Sequence, residues 1–381
     1  MSTNGPNQVL GMFGAPLIDH HCHGVMARPL QRAEFEDLAT ESSWPGPAGT
    51  TFFDTQLGFA IRRWCAPVLG LKPHAAPEEY LERRTELGAE TVNSLLLTAA
   101  GLDTVLVETG YRGDEITSPA QTAALARAEH GEVVRLERIA EEVAAAGTEP
   151  GTFAADFATA LKERSVDAVG VKSIMAYRYG LDFDPERPSD RDVEAAAAQW
   201  LSAAGSEPRM DHPVLLRHLL WAAVDLGKPI QFHVGYGDAD VDLHRCNPLN
   251  MTSWLRAVRT RDVPVMLLHC YPFQREAGYL AHVFPHVYAD VGLAVNYTGS
   301  RSDAVIAESL ELTPFHKTVF STDAFGLPEL YFLGAHLFRR GFDRVVGRWV
   351  EAGEWSVEDA ERVAHLIGHA NAERAYRLEP R

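Results

Sequence analysis

The chain has no CxxC pair, no GxGxxG after its first apolar strand, and no uninterrupted run of 18 apolar residues. Each absence excludes a class. The four cysteines, Cys22, Cys65, Cys246 and Cys270, are scattered. Their spacing suits neither a disulfide framework nor a cysteine zinc site, and a reduced, cytoplasmic setting is expected. Without GxGxxG, a dinucleotide fold has no support. Without a long apolar run, no membrane span is expected. The first 15 residues, MSTNGPNQVLGMFGA, have neither a basic start nor a long apolar stretch. They are read as a flexible N-terminus and not as a signal peptide. Positive charge is also scarce: 35 Lys and Arg stand against 52 Asp and Glu, a formal net charge of −17. Such a surface repels phosphate backbones and argues against a nucleic-acid partner.

What is present suits a large core. Hydrophobic residues make up 46% and charged residues 23% of 381. That length fits one α/β barrel with an insertion. Apolar runs predict strands at Pro16–His20, Thr104–Glu108, Val133–Leu136, Ala168–Lys172, Pro229–His233, Pro264–His269, Val287–Val291 and Thr318–Thr322. They are mostly continuous, as parallel strands covered on both faces should be. Segments rich in Ala, Glu, Leu and Arg predict helices between them, including Ala120–Glu129, Arg138–Ala145, Asp190–Ala204, His212–Leu226 and Glu329–Phe338. Eight strands alternating with helices fit a barrel or a doubly wound sheet. The count of eight, and polar residues closing several different strands, favour a (β/α)8 TIM barrel. The expected organisation is one barrel domain over 16–381. A helical insertion after strand 1, about 24–102, covers the barrel mouth as a lid or a contact for a homo-oligomer. It includes a helical piece at Glu78–Leu97.

The chemistry concentrates at strand ends. Strand one closes on Asp19-His20-His21-Cys22-His23. Strict alternation puts Asp19, His21 and His23 on one face and His20 and Cys22 on the other. Two imidazoles at i and i+2 can hold one divalent ion. Strands five and six end in His233 and His269, and strand eight is followed by Asp323. Lys172 closes strand four, where an unpaired ammonium is costly. Three roles are open to it: a salt bridge with Asp19 or Glu108, an anionic substrate contact, or a carboxylated side chain bridging two metals. Arg178 is a candidate carboxylate fork. Tyr177, Gln231 and Glu329 are further substrate-binding candidates, Glu329 for an amine. Asp290 is placed to orient a ligand histidine.

In that order, HxH, Lys, His, His and Asp resemble the amidohydrolase superfamily across residues 16–330. The segments Val171–Leu181, Gln231–Asp238, His269–Phe273 and Ser321–Asp323 with Pro328-Glu329-Leu330 resemble its amidohydrolase-2 branch. Within it they are similar to the domain of FluG-type and nodulin-type proteins, where a glutamine-synthetase-like domain can be fused; these 381 residues hold no such second domain. The resemblance implies hydrolysis of an amide C–N bond, γ-glutamyl amides included, in a small-molecule substrate. It implies one or two divalent ions, zinc first, with Mn, Fe or Ni as alternatives. His21, His23, Lys172, His233, His269 and Asp323 would be ligands, with Asp323 and His233 catalytic. The alternative in the same branch is a metal-dependent non-oxidative decarboxylase.

Overall fold

The computed structural model describes residues 17–203, 205 and 208–379. The expected flexible terminus 1–15 lies outside them. Seven parallel strands run in consecutive order: β1 Leu17–Cys22, β2 Leu102–Glu108, β3 Glu129–Arg135, β4 Gly170–Ser173, β5 Ile230–His233, β6 Val265–Leu268 and β7 Val287–Ala289. The eighth expected strand is not regular. Residues 318–322 instead form a stave that, with Asp323, closes the barrel. Val319 N donates to Ala289 O at 3.1 Å, and on the other side His20 N donates to Phe320 O at 3.1 Å. Asp323 N donates to His21 O at 3.0 Å. The fold is a TIM barrel.

Both faces of the strands are covered. Inside, Ile18, Leu106, Val133, Met266, Leu268 and Val319 pack on Ala372, Ala375 and Tyr376. These last three belong to the helix Asn371–Tyr376, which plugs the end where the strands start. A Cβ on Gly170, the first residue of β4, would lie 3.2 Å from the Tyr376 ring, so the plug packs directly on backbone. Outside, two larger apolar clusters hold the helices against the sheet. Fully burying each Leu, Val or Phe there stabilises by about 1.5–3 kcal/mol.

One irregularity in β1 redirects its side chains. Asp19 pairs with Val105 of β2 and Cys22 with Val107, so three steps on β1 match two on β2. An extra residue of this kind is a bulge, and it flips the facing of the residues beyond it. Strict alternation therefore fails. His20 enters the barrel interior, yet His21 and His23 face the mouth. Asp19 is not on their face: its carboxylate accepts from Thr322 N at 2.9 Å and Thr322 Oγ1 at 2.5 Å.

Between β1 and β2 lie helices at Arg32–Asp37, Gln56–Ala60, Pro77–Leu87 and Ala89–Ala100. The helical piece expected at Glu78–Leu97 is split at Gly88, whose φ of +78° a glycine adopts at no steric cost. Phe35, Phe53 and Tyr80 form an aromatic knot, with ring centroids 5.5–6.5 Å apart. Leu38–Ser43 lines the barrel mouth. The helix Pro328–Glu351 runs beyond the expected Glu329–Phe338, because Phe342, Val345 and Val346 continue its buried face at helical spacing. Among the described residues no helix is long and apolar enough to cross a membrane.

Candidate active site

The strand ends converge as the barrel requires. Potential ligand atoms of His21, His269 and Asp323 lie within 4.8 Å of one another. Asp323 is the hub. Its Oδ1 lies 3.0 Å from His21 Nε2 and 3.5 Å from His23 Nε2, and its Oδ2 lies 3.4 Å from His269 Nε2. His233 completes the group, its ring centroid 4.8 Å from that of His269. Lys172 Nζ lies 2.8 Å from His21 Nε2. It does not pair with Asp19, whose carboxylate Thr322 occupies. His269 and Asp323 take φ values of +69° and +50°. Side chains other than glycine rarely adopt that region, and strain of this kind collects at functional sites.

The electrostatics separate the group. Burial, and then the Lys172 charge, hold His21 well below the usual histidine range. Burial and His269 do the same to His233, and burial also lowers His269. For His23, burial works downward, but hydrogen bonds to Asp323 and Glu108 outweigh it and raise it. Burial would raise Asp323; the surrounding imidazoles hold it well below the carboxylate range. Burial lowers the Lys172 ammonium. Lowered imidazoles at His21, His233 and His269 and an ionised Asp323 are the states a divalent cation needs.

Above the cluster opens a cavity of about 380 Å³. Tyr177, Arg178, Glu41, Asp238, Tyr111 and Phe325 are among the residues lining it. The Tyr177 ring lies 4.3 Å, centroid to centroid, from His233. Arg178 Nη2 donates to Glu141 Oε1 at 3.3 Å, while its buried Nε has no partner. Burial, reinforced by Asp323, lifts the Glu41 carboxyl to about 7.

Two substrate-binding expectations are corrected. Gln231 lies beneath the cluster, where its Nε2 donates to His20 O at 2.7 Å and Tyr376 Oη at 2.8 Å. It points into the closed interior because its neighbours Phe232 and Ile230 pack outward. Glu329 is fully buried away from the cavity, accepting from Tyr80 Oη at 2.7 Å and pairing with Arg84. It anchors the segment between β1 and β2 to the long helix. Asp290 does orient a histidine, but through the backbone: its Oδ1 accepts from His269 N at 3.0 Å.

Glu108, weighed as a partner of Lys172, pairs instead with Arg135, a residue the sequence did not single out. Glu108 ends β2 and Arg135 ends β3, joined at 3.0 and 2.6 Å. Glu108 Oε2 also lies 3.3 Å from His23 Nδ1, which fixes that ring. A charged residue closing an apolar strand was the signal, the same one that singled out Lys172. Glu41, in a loop of no particular pattern, gave none.

Comparison with known proteins identifies the family and supports the fold. The family model described as amidohydrolase matches residues 114–378. Protein fluG of Emericella nidulans is 33% identical over 242 residues, 60% of this chain. The matched stretch is only 28% of the fungal protein's length. A Lactobacillus casei protein, named as a metal-dependent hydrolase, superposes with a TM-score of 0.81 at 27% identity, covering 96% of each chain. Uronate isomerase of Thermotoga maritima shares the fold at a TM-score of 0.62 and 12% identity, over 97% of this chain and 96% of its own. Strand order, the stave that closes the barrel, and a match over well above half the sequence lead to one assignment: this chain belongs to the amidohydrolase family.

Proposed function

We propose that this protein hydrolyses an amide C–N bond of a small molecule with the help of one or two divalent ions. The observation that carries the reading is the meeting of His21, His269 and Asp323 within 4.8 Å beneath the cavity. The donor set fits a metal. His233 Nε2 and His269 Nε2 are buried without a hydrogen-bond partner, so their lone pairs are free for a cation. Imidazole nitrogens with one carboxylate suit zinc first, and Mn, Fe or Ni next.

His21, His23 and Asp323 would hold one ion; His233, His269 and Lys172, if carboxylated, would complete a second place. Bound there, a divalent ion supplies Lewis acidity, polarising a carbonyl and acidifying water. The remaining work belongs to side chains. Asp323, ionised by its imidazole neighbours, takes the proton of the attacking water and delivers it to the leaving nitrogen. With a single ion present, His233 donates Nε2–H to the carbonyl oxygen as charge develops there. Tyr177 holds the His233 ring. Arg178 lines the cavity, and its positive charge suits a substrate carboxylate, which makes γ-glutamyl amides natural test compounds.

The test is metal analysis of the purified protein together with a screen of N-acyl and γ-glutamyl amides. Metal-dependent release of an amine is the expected result. No release from any amide, with CO₂ released from aromatic acids, overturns the hydrolase reading in favour of a decarboxylase. Incubation with ¹³C-bicarbonate decides Lys172: a carbamate carbon signal that Lys172→Arg abolishes marks carboxylation.

A further inference from the structure

Beneath the mouth, the barrel interior carries polar groups that the proposed chemistry does not use: His20, Gln231, Tyr376 and the far side of Asp290. All are buried. His20 Nδ1 lies 2.9 Å from Tyr376 Oη, and His20 Nε2 lies 2.8 Å from Asp290 Oδ2. Gln231 Nε2 donates both to Tyr376 Oη and to His20 O. Asp290 Oδ1 accepts from His269 N at 3.0 Å, Gly292 N at 2.8 Å and Ser321 Oγ at 3.0 Å.

Donor counting gives the chain one direction. Asp290 has only acceptors, so His20 Nε2 carries a hydrogen. Tyr376 Oη already accepts from Gln231, and its own hydrogen has one acceptor in reach, His20 Nδ1. The run is therefore Gln231 N–H to Tyr376 O–H to His20 Nδ1, then His20 Nε2–H to Asp290. It ends on the backbone of His269 and, through Ser321, two residues before Asp323. The opposite tautomer would leave Tyr376 O–H without an acceptor and set Nε2 against a carboxylate lone pair. An unmade bond at a buried group costs about 1–3 kcal/mol.

We propose that Tyr376, Gln231 and His20 are positioning residues for the metal centre. The plug helix Asn371–Tyr376 holds His20 in one tautomer, and His20 fixes the Asp290 carboxylate that pins His269 in its left-handed conformation. The inference rests on the proposed metal site for its consequence, though not for its geometry. Partners behind the ligands typically change metal affinity by 10–100-fold when lost.

The experiment pairs two readouts on wild type, Tyr376→Phe and Gln231→Leu. Tyr376→Phe keeps the ring that packs in the barrel floor and removes only the hydroxyl. The first readout is ¹⁵N imidazole NMR of the metal-free protein. Wild-type His20 should show a protonated Nε2 and a hydrogen-bonded, unprotonated Nδ1, and Tyr376→Phe should lose the bonded Nδ1 signature. The second is competition of Zn²⁺ and Mn²⁺ against a chelator. Affinity should fall about tenfold in Tyr376→Phe and less in Gln231→Leu, while the metal-free protein should melt only a few degrees lower, the cost of the bond left unmade at His20. Affinity within twofold of wild type in both variants, or an Nδ1-protonated His20 in wild type, overturns the proposal. If wild type takes up neither ion, the metal reading of the mouth fails, while the tautomer measurement still decides the network.

Discussion

The mouth and the floor of this barrel lie one residue apart in sequence, at His21 and His20, and treat the same side chain in opposite ways. At the mouth, His233 Nε2 and both nitrogens of His269 lack hydrogen-bond partners, and His21 Nδ1 has none. At the floor, both nitrogens of His20 are bonded, and every donor of Gln231 and Tyr376 finds an acceptor. The floor leaves one acceptor, Gln231 Oε1, without a donor. Unpaired buried polarity is costly, and at the mouth, where the imidazoles converge with Asp323, a bound cation would supply the missing partner. Paired polarity instead fixes geometry. The difference separates a site from its support using two adjacent histidines.

That contrast breaks most sharply at the mouth. Asp323→Asn keeps the shape of the hub and removes its charge. We expect kcat on the best amide to fall on the order of 10²–10⁴-fold. His21→Ala with His23→Ala should abolish bound metal. Full metal occupancy in that double variant would remove the mouth from the chemistry altogether. At the floor, the expected loss is only the tenfold change in affinity at Tyr376. A floor variant as damaging to kcat as Asp323→Asn would erase the distinction.

A buried pair outside both regions supplies a control. Arg84→Ala strands the buried Glu329 carboxylate, and a buried ion pair broken on one side costs about 3–5 kcal/mol. Urea denaturation should show that loss, with metal affinity per folded molecule unchanged. A parallel loss of metal would mean that the anchor of the inserted segment also shapes the mouth.

A separate effect concerns pH. Burial lowers His286 and His336 from 6.5 to about 4. Above pH 6.5 folded and unfolded chains are both neutral at these positions. Between 6.5 and about 4 the unfolded chain takes up protons that the folded chain refuses, so stability falls through that window. Below it the loss levels off. The urea midpoint measured against pH checks this, and His336→Phe should flatten part of the slope. An unchanged slope would place the acid sensitivity elsewhere.

Much of this was legible in the sequence. Continuous apolar runs located seven strands because parallel strands are buried on both faces. The strand-end residues His21, His23, Lys172, His233, His269 and Asp323 could be picked out, since a polar group closing an apolar run must meet something. The eighth strand was placed correctly along the chain but is a stave of side-chain and single backbone bonds rather than a regular ladder. Helix ends moved where glycine or a continuing apolar face decided them, as in Pro328–Glu351, which runs more than three turns past the expected end at Phe338.

The sequence by itself determined which residues could do chemistry and at which strand ends they sit, because burial and strand length are written in local composition. Tertiary structure decided which way they face and what they meet. The bulge in β1 turned His20 inward and Asp19 onto Thr322 against the alternation rule. Gln231 joined the floor and Glu329 the anchor, through partners 145 and 245 residues away. Periodicity reports the environment of a residue but not its partner. A single extra residue in a strand reverses every facing beyond it, and only the closed barrel shows where that residue lies.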